Sequence, residues 1–449
     1  MNSLLDQSAL TTLAERLVAA ARRAGADAAD AIAERGMSQS VEVRDGTVEE
    51  SERSEGDSMG LRAFVGRRQA VVSTNDPAGN VDELAERAVA MARVAPEDEH
   101  AGLAEPDQLA KTIPELDLLD PELPSVARLE EIARAAEAAA LAVKGVSKSG
   151  GASASAGIGG MVLVTSGGFT GTYLGSRHGT SVEAIAGTGT GMERDYDFSS
   201  ALHAADLMAP DAIGRSAGER AVRRLNPKKV ATKRVPVVFD TRLAGTIVGH
   251  LASAINGSAI ARKTSFLKDR MGERLFAPGI SIIDDPLRRR GLRSHPFDAE
   301  GVAGARRALI ADGVLATWIL DCATARELGL KTTGHAQRGV SSTPSPGASN
   351  LHLEPGRQTA AEMIGEIEEG FFVTDLIGMG ANMVTGDYSR GASGFWIEHG
   401  EITYAVSEVT IAGHLNDIFR SLVPANDLTF RYSINAPTVR LEGLTVAGV

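Results

Sequence analysis

The chain has 449 residues, 43% of them hydrophobic and 4% aromatic, with a formal net charge of −12. That length suggests two or three domains with sizeable cores, and the acidic balance argues against a general nucleic-acid or acidic-membrane surface, which needs clustered Lys and Arg. The only cysteine, Cys322, excludes an internal disulfide and any multi-cysteine metal site.

No apolar run approaches the ~18–20 residues of a membrane span. The opening segment, MNSLLDQSALTTLAERL, carries acids and lacks the basic patch and apolar core of a signal peptide. A soluble cytoplasmic protein is expected.

The first helix is predicted over residues 8–24, where Leu10, Leu13, Leu17 and Ala21 share one stripe that stops at Gly25. Short strands follow over 31–33, 40–44, 59–65 and 70–73, with Asp45-Gly46 as a turn. A second helix starts after Asn80, a residue suited to capping, and carries Val81, Leu84, Ala88 and Ala92 inward until Pro96. Residues 96–124 hold five of the seventeen prolines and nine acids against one lysine. That composition reads as a solvated connector; the competing reading is a strap that docks on a partner.

From residue 125 the plan repeats. A helix with Leu129, Ile132, Ala136 and Ala140 leads into strands near 146–156, 161–166, 169–174 and 181–189, then a helix over 212–225. Helix, antiparallel strands, helix thus occurs twice, without residue-level identity between the copies. The glycine-dense stretches 150–160 and 187–191 do not fit G-x-G-x-x-G and read as turns and twisted strands. The basic run from Lys228-Lys229 to Lys233-Arg234 reads as a linker.

Beyond it come a strand over 235–239 and a helix over 241–258 with Leu243, Ile247, Leu251 and Ile255 at i+4 spacing. Residues 338–356 are too rich in Ser, Pro and Gly for an element and read as a lid, a binding loop or a disordered segment. Helices near 359–369 and 415–422 and a strand with Leu428, Phe430, Tyr432 and Ile434 complete the pattern. The expected fold is α+β: an N-terminal mixed helix and antiparallel-strand region with two similar helix-strands-helix units, then a β-rich C-terminal domain. The expected boundaries are 1–95, a connector at 96–124, 125–227 and 235–449.

The stretch from Gly378 to Gly413 concentrates the functional signal. A glycine-rich polar loop runs into a hairpin in which Phe395 and Ile397 alternate, His399-Gly400 turns, and Ile402, Tyr404 and Val406 alternate back. Such a loop on a rigid ribbon suits a binding surface, while the plain alternative is a compact turn cluster. The run resembles the C-terminal signature of the TldD/PmbA family of bacterial and archaeal cytoplasmic proteins. It is most similar to the PmbA (TldE) branch, where T-G-D-[YF]-S-R-G-A-x-G-[FW] precedes G-E-I-x-Y-x-V-x-E-x-T-I-A-G; here these are residues 385–395 and 400–413. Asp284-Asp-Pro286, Phe297-Asp-Ala-Glu-Gly301, the Asp312-Gly-Val-Leu315 turn and the closing LEGLTVAG agree with it.

The resemblance also brings a comparison. In the TldD branch the helix equivalent to 241–258 carries H-E-x-x-x-H, which with a later cysteine holds a metal, the glutamate acting as general base. Here the same stretch keeps His250 but has Leu251 and Ile255 at the other two positions, and no cysteine lies beyond Cys322. The resemblance therefore implies a chain with no metal of its own. Its partner would be a TldD-type metalloprotease subunit bearing zinc or a similar divalent metal, in a heterodimer or higher assembly that degrades or matures unstructured or modified peptides. On that view this chain forms half of a chamber and positions the peptide through Asn382, Thr385, Gly386, Asp387, Tyr388, Ser389 and Arg390, with a well-satisfied turn network as the alternative role for these residues.

Other chemistries find no support in the residues. There is no G-x-S-x-G elbow and no phosphate loop; Cys322 reads as a small buried side chain; Asp284-Asp-Pro286 reads as a turn or cap. His250 lies near Leu243 on the helical wheel and reads as a core or interface histidine. Three alternatives stay open: a peptidase with an unrecognised site such as His250, Cys322 and His335, a stand-alone homodimeric peptide binder, and a structural scaffold.

Overall fold

Helix α1 (Ser8–Arg23) buries Leu10, Leu13, Leu17 and Ala21 as its stripe requires. Helix α2 (Val81–Val94) begins where the Asn80 side chain accepts hydrogen bonds from the N–H groups of Asp82 and Glu83. The computed structural model describes residues 5–448, so the first four residues of the segment read for a leader, and Val449, lie outside the described residues. Six strands follow one antiparallel order, β3-β2-β1-β4-β5-β6. They are β1 (Ala28–Arg44), β2 (Thr47–Val65), β3 (Arg68–Thr74), β4 (Val146–Thr165), β5 (Thr170–Ala186) and β6 (Glu193–Ala201).

The two helix-strands-helix units are halves of this single sheet. β1 and β4 pair continuously from Asp30 opposite Thr165 to Val43 opposite Ala152. Helices α3 (Val126–Leu141) and α4 (Pro210–Arg223) pack on Val41, Val43, Ala152, Ala154 and Val182, while α1 and α2 pack on Ala29, Ala31 and Ala33 of the same β1 face. Strand side chains alternate faces, so all four helices cover one side and the even-numbered residues of β1 face the other.

The strands are longer than the residue pattern predicts. The expected pieces 31–33 and 40–44 are one strand of seventeen residues, and 146–156 with 161–166 form one of twenty. The gaps in the pattern (Gly36, Ser38, Gly157, Gly159) have poor strand propensity but are paired on both sides, and pairing prevails over propensity. β6 is absent from the prediction altogether. Asp45 and Gly46 both have positive φ and make the expected tight turn between β1 and β2.

Residues 96–124 are a strap and not a solvated tether. They contain no helix or ladder strand, yet Leu116 and Leu118 are 6% and 7% exposed and pack with Leu202 of the N-terminal region and Leu287 and Leu292 of the C-terminal one. The Leu118 carbonyl accepts from Ser176 N–H, Leu116 from Arg290 N–H, and Gly301 from Ala110 N–H. Most of the acids and prolines lie on the strap's outer face; its irregularly spaced leucines, with Asp117 on Arg289 and Arg290 and Asp120 on the Ala204 N–H, fasten it down.

In the C-terminal half β7 (Lys233–Phe239) pairs with Glu369–Ile377 on one side and Val439–Ala447 on the other. Asp387–Glu398 and Glu401–His414 follow, and Val439–Ala447 pairs again with Glu401–His414, closing a five-stranded barrel. His399 and Gly400, at φ 51° and 80°, make its hairpin turn. Helix α5 (Thr241–Ala254), capped by the Asp240 side chain, lays Ala244, Ile247, Val248 and Leu251 into the core and ends short of the predicted residue 258. A second sheet contradicts two expectations. Leu351–Leu353, inside the supposed loop 338–356, is a wholly buried strand, and the expected strand at 428–434 is reduced to Ile434–Asn435 beside it. Phe430 is 40% exposed, so the alternation there does not mark a buried face. The helix expected over 359–369 covers Ala360–Gly365. No helix among the described residues is long and apolar enough to cross a membrane.

Candidate functional site

The first site expectation concerns α5. Leu251 and Ile255 are both 0% exposed and belong to the main C-terminal core, among Ile247, Ile319, Leu351 and Phe371. His250 points elsewhere. Its ring meets Tyr388 edge-on, with centroids 5.7 Å apart at 69°. Burial, aided by the positive charge of Arg390, pushes its pKa down to about 4, so the imidazole is neutral at pH 7. Three polar atoms here have no hydrogen-bond partner among the described residues: His250 Nε2, Tyr388 OH and Arg390 Nε.

Tyr388 reaches this corner from the start of the strand Asp387–Glu398, and its side chain is 1% exposed. Burial also raises its phenol pKa well above the usual range. The loop before it folds back on the strand: Ser389 N–H donates to Gly380 O at 2.7 Å, and a Cβ at Gly380 would collide with the Ser389 carbonyl. Asn382 Oδ1 accepts from Val384 and Thr385 N–H, Thr385 Oγ1 donates to Asp387 Oδ2 at 2.6 Å, and His414 Nε2 lies 2.9 Å from Thr385 O. Gly386 is buried at φ 88°. The structure thus gathers Asn382, Thr385, Gly386, Asp387 and Ser389 in one turn network, exposed except at Gly386, with Tyr388 and Arg390 turned towards His250. Ile377, Met379 and Val384, 63%, 104% and 61% exposed, surround that network with apolar side chains.

The donor set does not fit a metal. One imidazole, one phenol and a nearby guanidinium charge face each other where two histidines and a glutamate would be needed. The composite alternative is also dispersed: His335 bonds Asp284 and Thr333, and Cys322 is buried with its N–H on Glu300. Among the described residues no three His, Cys, Asp or Glu side chains come together as a metal site.

A second polar region, which the sequence reading left without a role, lies at the seam between the N-terminal sheet and the C-terminal half. Asp30 on β1 receives Arg62 of β2 at 2.9 and 2.5 Å and Arg338 of the C-terminal half at 2.6 Å, all three side chains being at most 4% exposed. Burial would raise Asp30, but the two guanidinium groups prevail and hold its pKa low. Asp298 and Glu300, from the Phe297–Gly301 motif, sit beside them. Burial and the neighbouring Glu300 charge push Asp298 up to about 7, although its carboxylate accepts from the N–H groups of Glu300, Val302 and Ala336. Glu300 is likewise raised by burial. Nearby, Asp284 is no turn-former: wholly buried, it bonds His335 Nε2 at 3.1 Å and Ser349 Oγ at 2.6 Å, and the turn falls to Asp285. The available signal was a charge at Asp30 and Arg62 within otherwise apolar strand segments.

Against known proteins, three adjoining profiles match. They are the PmbA/TldA metallopeptidase domain 1 at residues 29–92, its central domain at 119–225 and its C-terminal domain at 232–448. The "Metalloprotease PmbA" of Escherichia coli O157:H7 is 37% identical over 412 residues, 91% of this chain and 90% of that protein. A PmbA homolog of Haemophilus influenzae is 35% identical over 95% of this chain and 94% of its own. A crystal structure from Bacteroides thetaiotaomicron, named as a candidate modulator of DNA gyrase, superposes with a TM-score of 0.90 at 28% identity and 98% coverage of both chains. TldE from Thermococcus kodakarensis shares the fold, with a TM-score of 0.87 at 21% identity over 97% of this chain and all of its own.

Proposed function

The chain belongs to the TldD/PmbA metallopeptidase family, and from that premise we propose that it is a PmbA/TldE-type subunit without a catalytic metal of its own. The observation that carries this reading is the burial of Leu251 and Ile255, at the positions where the metal-bearing branch has its glutamate and second histidine. The remaining imidazole of His250 lies close to the positive charge of Arg390, which would oppose a bound cation.

In this reading the metal, zinc or a similar divalent ion, belongs to a TldD-type partner in a cytoplasmic protease for unstructured or modified peptides. This chain forms part of the wall around the peptide. The turn network at 382–390, with exposed Ile377, Met379 and Val384 around it, supports a contact face there, since apolar side chains grouped on a loop favour burial against another chain.

The test is metal content and peptidase activity on an unfolded peptide, for the chain alone and mixed with a TldD-type subunit. The expected result is a metal-free, inert chain whose mixture co-elutes and cleaves. Stoichiometric metal and cleavage by the chain alone would overturn the proposal.

A further inference from the structure

Four glycines stand opposite one another on adjacent strands: Gly56 on β2, Gly36 on β1, Gly159 on β4 and Gly175 on β5. None of the four has a positive φ. Packing does not require them either. A Cβ at Gly56 would meet nothing within 4 Å, and at Gly36, Gly159 and Gly175 only ordinary contacts at 3.5, 3.9 and 3.6 Å. Glycine weakens a strand and marks a close backbone approach. The same sheet shows that use at Gly60, where a Cβ would collide with the Val340 backbone lying across it.

The row is the floor of a trench. Its walls are the rows two residues away on the same face: Ser58, Glu34, Met161 and Tyr173 on one side, Ser54, Ser38 and Arg177 on the other, the latter interrupted at Gly157. The segments around 291–299 and 336–338 roof one flank, giving a cleft of about 590 Å³. Four strands at ~4.8 Å spacing make a floor roughly 14 Å long, room for about four extended residues. At the Gly175 end the strap closes the trench, the Leu118 carbonyl lying 3.6 Å from the Cβ position. Two exposed arginines stand by the cleft on that side, Arg177 and Arg293, linked by the bond from Arg177 to Leu292 O and without an ion pair among the described residues. Arg338, 3% exposed and lining the same cleft, has a buried Nε with no acceptor.

We infer that this trench binds the C-terminal end of an unfolded polypeptide, its backbone against the glycine row and its terminal carboxylate at Arg177 and Arg293. The closed end selects a chain terminus over an internal segment, and the two guanidinium groups, without an ion pair among the described residues, match its charge. The choice of polypeptide as ligand rests on the proposed function; the trench does not.

The experiment is fluorescence anisotropy of the full chain with a labelled unstructured decapeptide carrying a free C-terminal carboxylate, and with its amidated twin. The carboxylate peptide should bind about tenfold more tightly. Gly36→Val with Gly159→Val should weaken binding about tenfold or more by filling the floor, with circular dichroism and melting showing an intact fold. Arg177→Gln with Arg293→Gln, on the surface, should abolish the preference for the carboxylate. Equal affinity for the two peptides, no binding of either, or wild-type binding by the folded glycine variant would overturn the inference. Mixing with a TldD-type subunit separates the two readings. Cleavage with unchanged KM by the folded glycine variant removes the trench and keeps the subunit role, whereas a wild-type mixture that does not cleave removes the subunit role.

Discussion

The seam and the His250 corner are both buried and polar, yet they are built in opposite ways. At the seam Asp30 is held by two arginines and Asp298 by three backbone N–H groups. Among the described residues one seam atom, Arg338 Nε, finds no partner, against three in the corner, on His250, Tyr388 and Arg390, where no ion pair compensates. A buried group left unsatisfied costs about 1–3 kcal/mol. The seam is therefore a place where the chain completes itself, tying its N-terminal sheet to its C-terminal half. The corner is one where it does not.

The largest effect should come from Arg62→Met, which leaves Glu300 buried without its cation and Asp30 with Arg338 alone. It should cost about 3–5 kcal/mol, measured by urea unfolding, whereas Arg390→Met in the corner should cost less than about 1 kcal/mol. Comparable losses would erase the distinction.

The two regions should next differ in the sign of their pH dependence. Asp298 is raised from the ordinary 3.8 to about 7, so its contribution is full below pH 3.8 and is lost as pH rises through 7. His250 is lowered from 6.5 to about 4, so its contribution is full above pH 6.5 and is lost as pH falls through 4. Relative to wild type, urea midpoints between pH 4 and 6.5 should fall more steeply with rising pH in His250→Leu, which loses the rising contribution, and rise more steeply in Asp298→Asn, which loses the falling one. A slope unchanged in either variant would reassign the titration. The smallest effect is His250→Leu at pH 7, neutral or stabilising by up to about 1 kcal/mol in thermal unfolding, because it removes an unpaired polar atom.

Local chemistry made α1, α2 and the repeated helix-strands-helix pattern legible. Leu10, Leu13 and Leu17 repeat at helical spacing, Asn80 caps, and His399-Gly400 turns. What the sequence hid depends on distant partners. Gly36 and Gly159 look like breaks until each is seen opposite the other. Leu351–Leu353 reads as loop because its neighbours are Ser, Pro and Gly, yet pairing with Ile282–Asp284 on one side and Ile434–Asn435 on the other makes it a strand. The motif at 385–395 was visible, but the meeting of Tyr388 with His250 was not. Asp30 and Arg338 stand 308 positions apart, beyond any local pattern.

The barrel has a consequence for how the protein is made. Val439–Ala447 lies between β7 and Glu401–His414 and supplies both closing ladders. It is the last of the described elements to be synthesised, so β7, the first barrel strand made, waits through the making of some two hundred residues with one edge open. An unpaired edge recruits foreign strands. A ribosome stalled ahead of residue 439 should therefore release an insoluble product with an otherwise intact N-terminal sheet, and the nascent barrel is at greatest risk just before this closing strand arrives.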